Sequence, residues 1–72
     1  MSTSLSYRQI ADDMQRRIRA GQYPPGTAIP SYRLLAGLYD VSIATAQRAV
    51  RIMRDRGVAK GIPGRGVFVT RQ

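Results

Sequence analysis

The chain has 72 residues, 43% of them apolar, and twelve Lys and Arg against four Asp and Glu give a formal charge of +8. A chain of this length forms one small domain that buries only about 60% of the surface its unfolded form exposes, which excludes a sizeable substrate cavity. There is no cysteine and no histidine, so disulfides, thiolate nucleophiles, the commonest general base and the usual metal ligands are missing, and no catalytic, cofactor or metal site is expected.

Met1 leads into Ser-Thr-Ser, and no apolar run is long enough for a signal peptide core or a membrane span, so the cytoplasm is the expected compartment. The surplus of positive charge favours a polyanion, with nucleic acid first. Composition by itself leaves an acidic membrane surface or an acidic protein open.

The first predicted helix starts at Ser6, where Ser6 and Gln9 have the spacing of a capping box. Ile10, Met14 and Ile18 recur at i, i+4 and i+8, and Gly21 ends the helix. On its polar face Asp12 and Arg16, and Asp13 and Arg17, are spaced as i, i+4 ion pairs. Three prolines between Gln22 and Pro30 make the next stretch an ordered connector, with Pro25-Gly26 suited to a type II turn and Ala28-Ile29 to one short strand. A second helix runs from the Ser31 cap to about Leu38, with Leu34, Leu35 and Leu38 as its apolar contacts.

The third helix is capped by Ser42 with Val41 as a hydrophobic staple, carries Ala46, Ala49, Val50 and Met53 on one face, and stops at Gly57. After it, Val58-Ala59 and Val67-Phe68-Val69 read as two strands joined through 62–66. That glycine-rich stretch lies between strands, which excludes the phosphate-cradling loops that lead from a strand into a helix. The domain is therefore mainly α with a small β-hairpin.

Asp40-Val41-Ser42 joins the second and third helices as a helix-turn-helix does, with the later helix offering its leading end to the major groove. The outward face of that helix carries Ile43, Ala44, Gln47, Arg48, Arg51 and Arg54, and residues 42–56 hold four arginines against Asp55. Gln47 suits a bidentate pair with adenine, Arg48 or Arg51 suits guanine or phosphate, and Ile43 or Ala44 can meet a thymine methyl. Ser42 and Thr45 place hydroxyls near the helix N-terminus, where phosphate is favoured. Arg65 at the hairpin tip can enter a minor groove or contact the backbone.

Tyr7-x-Gln9-Ile10-Ala11, Gly21-x-Tyr23-x-Pro25-Gly26-x-x-Ile29-Pro30-Ser31-x-Arg33-x-Leu35-Ala36, Val41-Ser42-x-x-Thr45, Arg48-Ala49, Gly57 and Gly64-x-Gly66-x-Phe68-Val69 together resemble the winged-helix DNA-binding domain of the GntR family. The resemblance covers nearly the whole chain. It implies a winged helix-turn-helix of three helices and a two- to three-stranded wing over 1–72. It also implies a bacterial transcription regulator, usually a repressor, on double-stranded DNA with a palindromic operator on which two copies can sit as a homodimer. The compartment narrows accordingly to the bacterial nucleoid. Carried over by position, Arg33 resembles the family's DNA-contacting arginine, Ser42 and Thr45 its phosphate-contacting hydroxyls, and Gly64, Arg65 and Gly66 its wing tip.

The chain departs from the family at Tyr32, where an acidic residue is common, and at Ile43 and Gln47, where arginine is common, so the family's operator does not transfer. Family members continue into an effector-binding domain. None is expected between Met1 and Gln72, and with it no small-molecule effector site. The rival readings are a non-specific or architectural DNA binder and a winged helix that binds protein. A catalytic reading fails because Asp12 and Asp13 point about 100° apart on one helix, and a membrane-surface helix is poorly served by two acids on its polar face.

Overall fold

Three helices and a hairpin follow one another in a computed structural model that describes residues 5–71: α1 (Tyr7–Arg19), α2 (Tyr32–Tyr39), α3 (Ile43–Asp55), β1 (Ala59–Ile62) and β2 (Gly66–Val69). The Met1-Ser-Thr-Ser start and the last residue of the expected 1–72 domain lie outside the described residues.

Each helix begins on a serine. The Ser6 hydroxyl accepts from the Gln9 N–H at 3.2 Å while Gln9 Oε1 accepts from the Ser6 N–H at 2.9 Å, so both halves of the capping box form. Ser31 and Ser42 cap α2 and α3 by the first of these bonds, their hydroxyl oxygens accepting from the Leu34 and Thr45 N–H groups. The two long helices end alike. Past α3, the Gly57 N–H donates to Arg54 O at 3.0 Å and the Val58 N–H to Met53 O at 2.9 Å, with Gly57 at φ +75°, and buried Val58 follows buried Met53 under the turn. α2 runs one residue past the expected Leu38 and closes on Asp40 in the left-handed region at φ 53°.

The core is drawn from every element: Ile10, Ala11 and Met14 of α1, Leu35 and Ala36 of α2, Ala46, Ala49, Val50 and Met53 of α3, and Ile29, Val58, Ala59 and Val69 beyond the helices. No polar or charged residue is buried among those described. The leucine stripe expected on α2 does not form. Leu35 is buried, but Leu34 and Leu38 are 58% and 60% exposed. The inner face of α2 instead follows Tyr32, Leu35, Ala36 and Tyr39, the i, i+3, i+4, i+7 positions, so the tyrosines complete the stripe.

The Pro24 to Thr27 turn forms as expected, with Gly26 at φ +85° and the Thr27 N–H donating to Pro24 O at 3.2 Å. The Ala28-Ile29 strand reduces to a single bridge from Ala28 to Phe68, leaving a two-stranded antiparallel sheet. Its strands are displaced from expectation. β1 extends through Lys60, Gly61 and Ile62, while Val58 precedes it, and the register Ala59↔Val69 to Ile62↔Gly66 leaves a loop of only 63–65.

Polar ties join the helices at the surface. Asp12 pairs with Arg56 beyond α3 at 2.7 Å, in place of the expected Arg16, because the C-terminal end of α3 lies alongside α1. Asp13 accepts from Arg16 and Arg17, each at 2.9 Å, and from the Tyr39 hydroxyl at 2.6 Å. The Tyr39 bond, followed by that from Arg17, lowers the Asp13 pKa from 3.8 to about 2. Burial, and then the bond to Asp13, raises that of Tyr39, so its phenol stays a donor well into alkaline solution.

A carboxylate whose folded pKa is depressed stabilises fully above its unfolded pKa and loses that contribution as pH falls through the folded value. The Asp13 share is therefore intact at neutral pH and is lost between about pH 4 and pH 2. Tyr39→Phe should cost about 1.5 kcal/mol in urea unfolding at pH 7, and the difference from the parent chain should shrink as the pH approaches 2. An equal difference at both pH values would refute the tie.

Candidate nucleic-acid interface

α3 divides into a filled face and a free one. Ala46, Ala49, Val50 and Met53 are at most 1% exposed, whereas Ile43, Ala44, Gln47, Arg51 and Arg54 face solvent. At about 100° per residue these five fall within an arc of roughly 100° centred near Gln47, which makes one continuous stripe from the leading end of the helix to its last turn. None of the three ion pairs among the described residues uses an arginine of this stripe.

Arg48 stands apart from the stripe. Its guanidinium carbon lies 5.6 Å from the centroid of the Tyr7 ring, within cation–π range, so it leans toward the start of α1. There it shares a groove with Ser42, Thr45, Tyr7 and the two residues before α1, Leu5 and Ser6. The Ser42 and Thr45 hydroxyls are brought together at 3.0 Å, and Ser42 Oγ also accepts from the Thr45 N–H at 3.1 Å. One hydroxyl donates to the other, which leaves one hydroxyl proton for an outside acceptor.

Arg33 is exposed in the first turn of α2 and lines a groove with Ser31, Leu34, Gly37 and Leu38. Gly64, Arg65 and Gly66 are exposed at the far end of the hairpin. Gly64 and Gly66 take φ +75° and +116°, values at which a side chain is strained, and the Arg65 N–H donates to Ile62 O at 2.9 Å to close the tip. Tyr32 lines both the cleft beside α3 and a groove that includes Arg65, so it stands at the junction of helix and wing.

Two features escape a reading by composition and spacing. Tyr7 as the partner of Arg48 depends on how α1 crosses α3, and Lys60 lies past the end of a strand expected to stop at Ala59. Arg54, already on the outward face expected of α3, lies seven residues past Gln47 on that face. No helix among the described residues is long and apolar enough to cross a membrane.

The family described as "Bacterial regulatory proteins, gntR family" matches residues 6–69. The mannosyl-D-glycerate transport/metabolism system repressor MngR of Escherichia coli is 35% identical over 63 residues, covering 88% of this chain and 26% of MngR. The chain thus spans about a quarter of that relative, and 14% of the regulator YdeF of Bacillus subtilis, which is 30% identical over 64 residues. Among solved structures, a GntR family transcriptional regulator from Listeria monocytogenes superposes with TM-score 0.86 at 27% identity, over 100% of this chain and 64% of that one. The N-terminal domain of AraR, crystallised in complex with mutant ORR3, gives TM-score 0.82 at 26% identity over 97% of both chains.

The Ser42 cap yields a direct check on how this end is built. Ser42→Ala should lower stability by about 1 kcal/mol in urea unfolding, while Ser42→Asp, which keeps a capping oxygen, should hold it near the parent value. Equal losses in both variants would contradict the capping role.

Proposed function

The chain belongs to the gntR family of bacterial regulatory proteins, a family of DNA-binding transcription regulators and not of enzymes, and from that premise we propose that it reads a specific DNA sequence through α3 and acts as a repressor. In this reading the leading half of α3 enters the major groove. Gln47 pairs with a base, Ile43 and Ala44 give it apolar neighbours, and Arg51 reaches guanine or phosphate. Ser42, Thr45 and Arg48 hold the backbone on the α1 side, Arg33 holds it from α2, and the tip at Gly64, Arg65 and Gly66 lies on the minor groove or its edge.

The observation that carries the reading is the uninterrupted exposed stripe of α3, which starts at the helix tip and whose arginines have no acidic partner among the described residues. Repression is supported by the name of MngR. The operator is a palindrome occupied by two copies, and the setting is the bacterial nucleoid in the cytoplasm. Residues 1–72 act as one DNA-binding domain with no small-molecule effector site of their own.

Selection from a pool of randomised duplexes at about 150 mM salt, where non-specific binding is weak, tests the assignment. An inverted repeat should emerge. Gln47→Ala should lose about 1 to 3 kcal/mol of discrimination at one base pair of each half-site, whereas Arg48→Ala should weaken binding to all sequences about equally and leave the motif unchanged. Binding with no enriched motif would replace this reading with the architectural one.

A further inference from the structure

Between the C-terminal half of α3 and the root of the hairpin lies an open cleft of about 700 Å³. Arg51 and Arg54 line it from the helix, Lys60 and Gly61 from β1, and Tyr32 from α2. Asp55 is the one carboxylate on its wall, against three cations. None of the ion pairs among the described residues involves those cations. The cleft is thus a concentration of positive charge that the chain's own acids leave largely uncompensated.

Gly61 explains how one of these cations is placed. A Cβ built on it would stand 3.1 Å from Arg54 Nη2 and 3.2 Å from Arg54 Cζ, closer than side chains ordinarily tolerate. Gly64 and Gly66 have positive φ and need glycine for their backbone, but Gly61 does not have positive φ. Its missing side chain matters for close approach: the Arg54 guanidinium lies against the strand and carries a charge of α3 across to the wing.

A helix in the major groove and a hairpin tip in the adjacent minor groove straddle the sugar–phosphate strand that separates the two grooves. We propose that this cleft is the seat of that strand, with Arg54 and Lys60 contacting its phosphates and Gly61 positioning Arg54. The proposal rests on the DNA reading above and adds a binding site to it, one whose ligand is the phosphodiester backbone and whose contribution is independent of sequence. Arginine suits the position because its planar group can lie against the strand and still direct N–H donors toward a phosphate.

The test is the salt dependence of binding to the tightest duplex from the randomised pool, followed by fluorescence anisotropy between about 50 and 200 mM salt. Arg54→Ala and Lys60→Ala should each make the slope of log affinity against log salt shallower by about one, and the double variant by about two. Arg19→Ala removes the same charge from α1, outside the cleft, and should leave the slope at the parent value. Gly61→Ala keeps every charge and makes the guanidinium give by a few tenths of an ångström. It should leave the slope near the parent value, weaken binding at fixed salt by less than Arg54→Ala does, and add nothing to Arg54→Ala in combination. Parent-like slopes for Arg54→Ala and Lys60→Ala, or an additive effect of Gly61→Ala, would overturn the proposal with the DNA reading intact. Failure of the parent chain to bind any duplex would overturn both.

Discussion

The packing of α1 against α3 is the contact on which the rest of the molecule depends. A chain this short has one core, and α3 contributes Ala46, Ala49, Val50 and Met53 to it, all at most 1% exposed. Ala11, Ala46 and Ala49 are small enough to let neighbouring helices approach closely, while Ile10, Met14 and Met53 fill the space around them. With its inner face fully committed, α3 cannot rotate without exposing those residues. Its outer face is held at one angle, and that angle aims the stripe from Ile43 to Arg54.

Surface ties refine this arrangement without burying a charge. Asp13 joins Tyr39 at the end of α2 to the arginines of α1, and Asp12 with Gln15 holds Arg56 just past α3. Because no polar residue among those described is buried, the desolvation cost of interior ion pairs does not arise there. Two of the four acids in the chain serve these ties. The acids on α1 engage arginines of α1 and Arg56 just past α3, and the arginines of the α3 stripe enter no ion pair among the described residues.

Much of this was legible from local chemistry. Ser6, Ser31 and Ser42 mark helix starts because a serine oxygen satisfies orphan N–H groups wherever the chain enters a helix, and Gly21 and Gly57 mark ends because the left-handed turn favours glycine. The resemblance to the GntR pattern supplied the winged arrangement that these signals alone leave open. What could not be read depended on three-dimensional placement. Leu34 and Leu38 look like core by composition, yet a helix of eight residues has one inner stripe, and Tyr32 and Tyr39 occupy it. Asp12 has two arginines in reach, and only the crossing of α1 over the end of α3 selects Arg56. The contacts of Arg48 with Tyr7 and of Arg54 with Gly61 join residues 41 and 7 positions apart, and neither follows from periodicity.

The central claim is that α3 and the hairpin tip occupy different grooves of one duplex. Because the chain has no cysteine, Ala44→Cys and Arg65→Cys each provide a unique attachment point for a DNA-cleaving reagent. On a selected duplex, cleavage from position 44 should show the strand offset of the major groove, and cleavage from position 65 the opposite offset of the minor groove, a few base pairs away. The same offset from both positions, or cuts spread evenly along the duplex, would contradict the account.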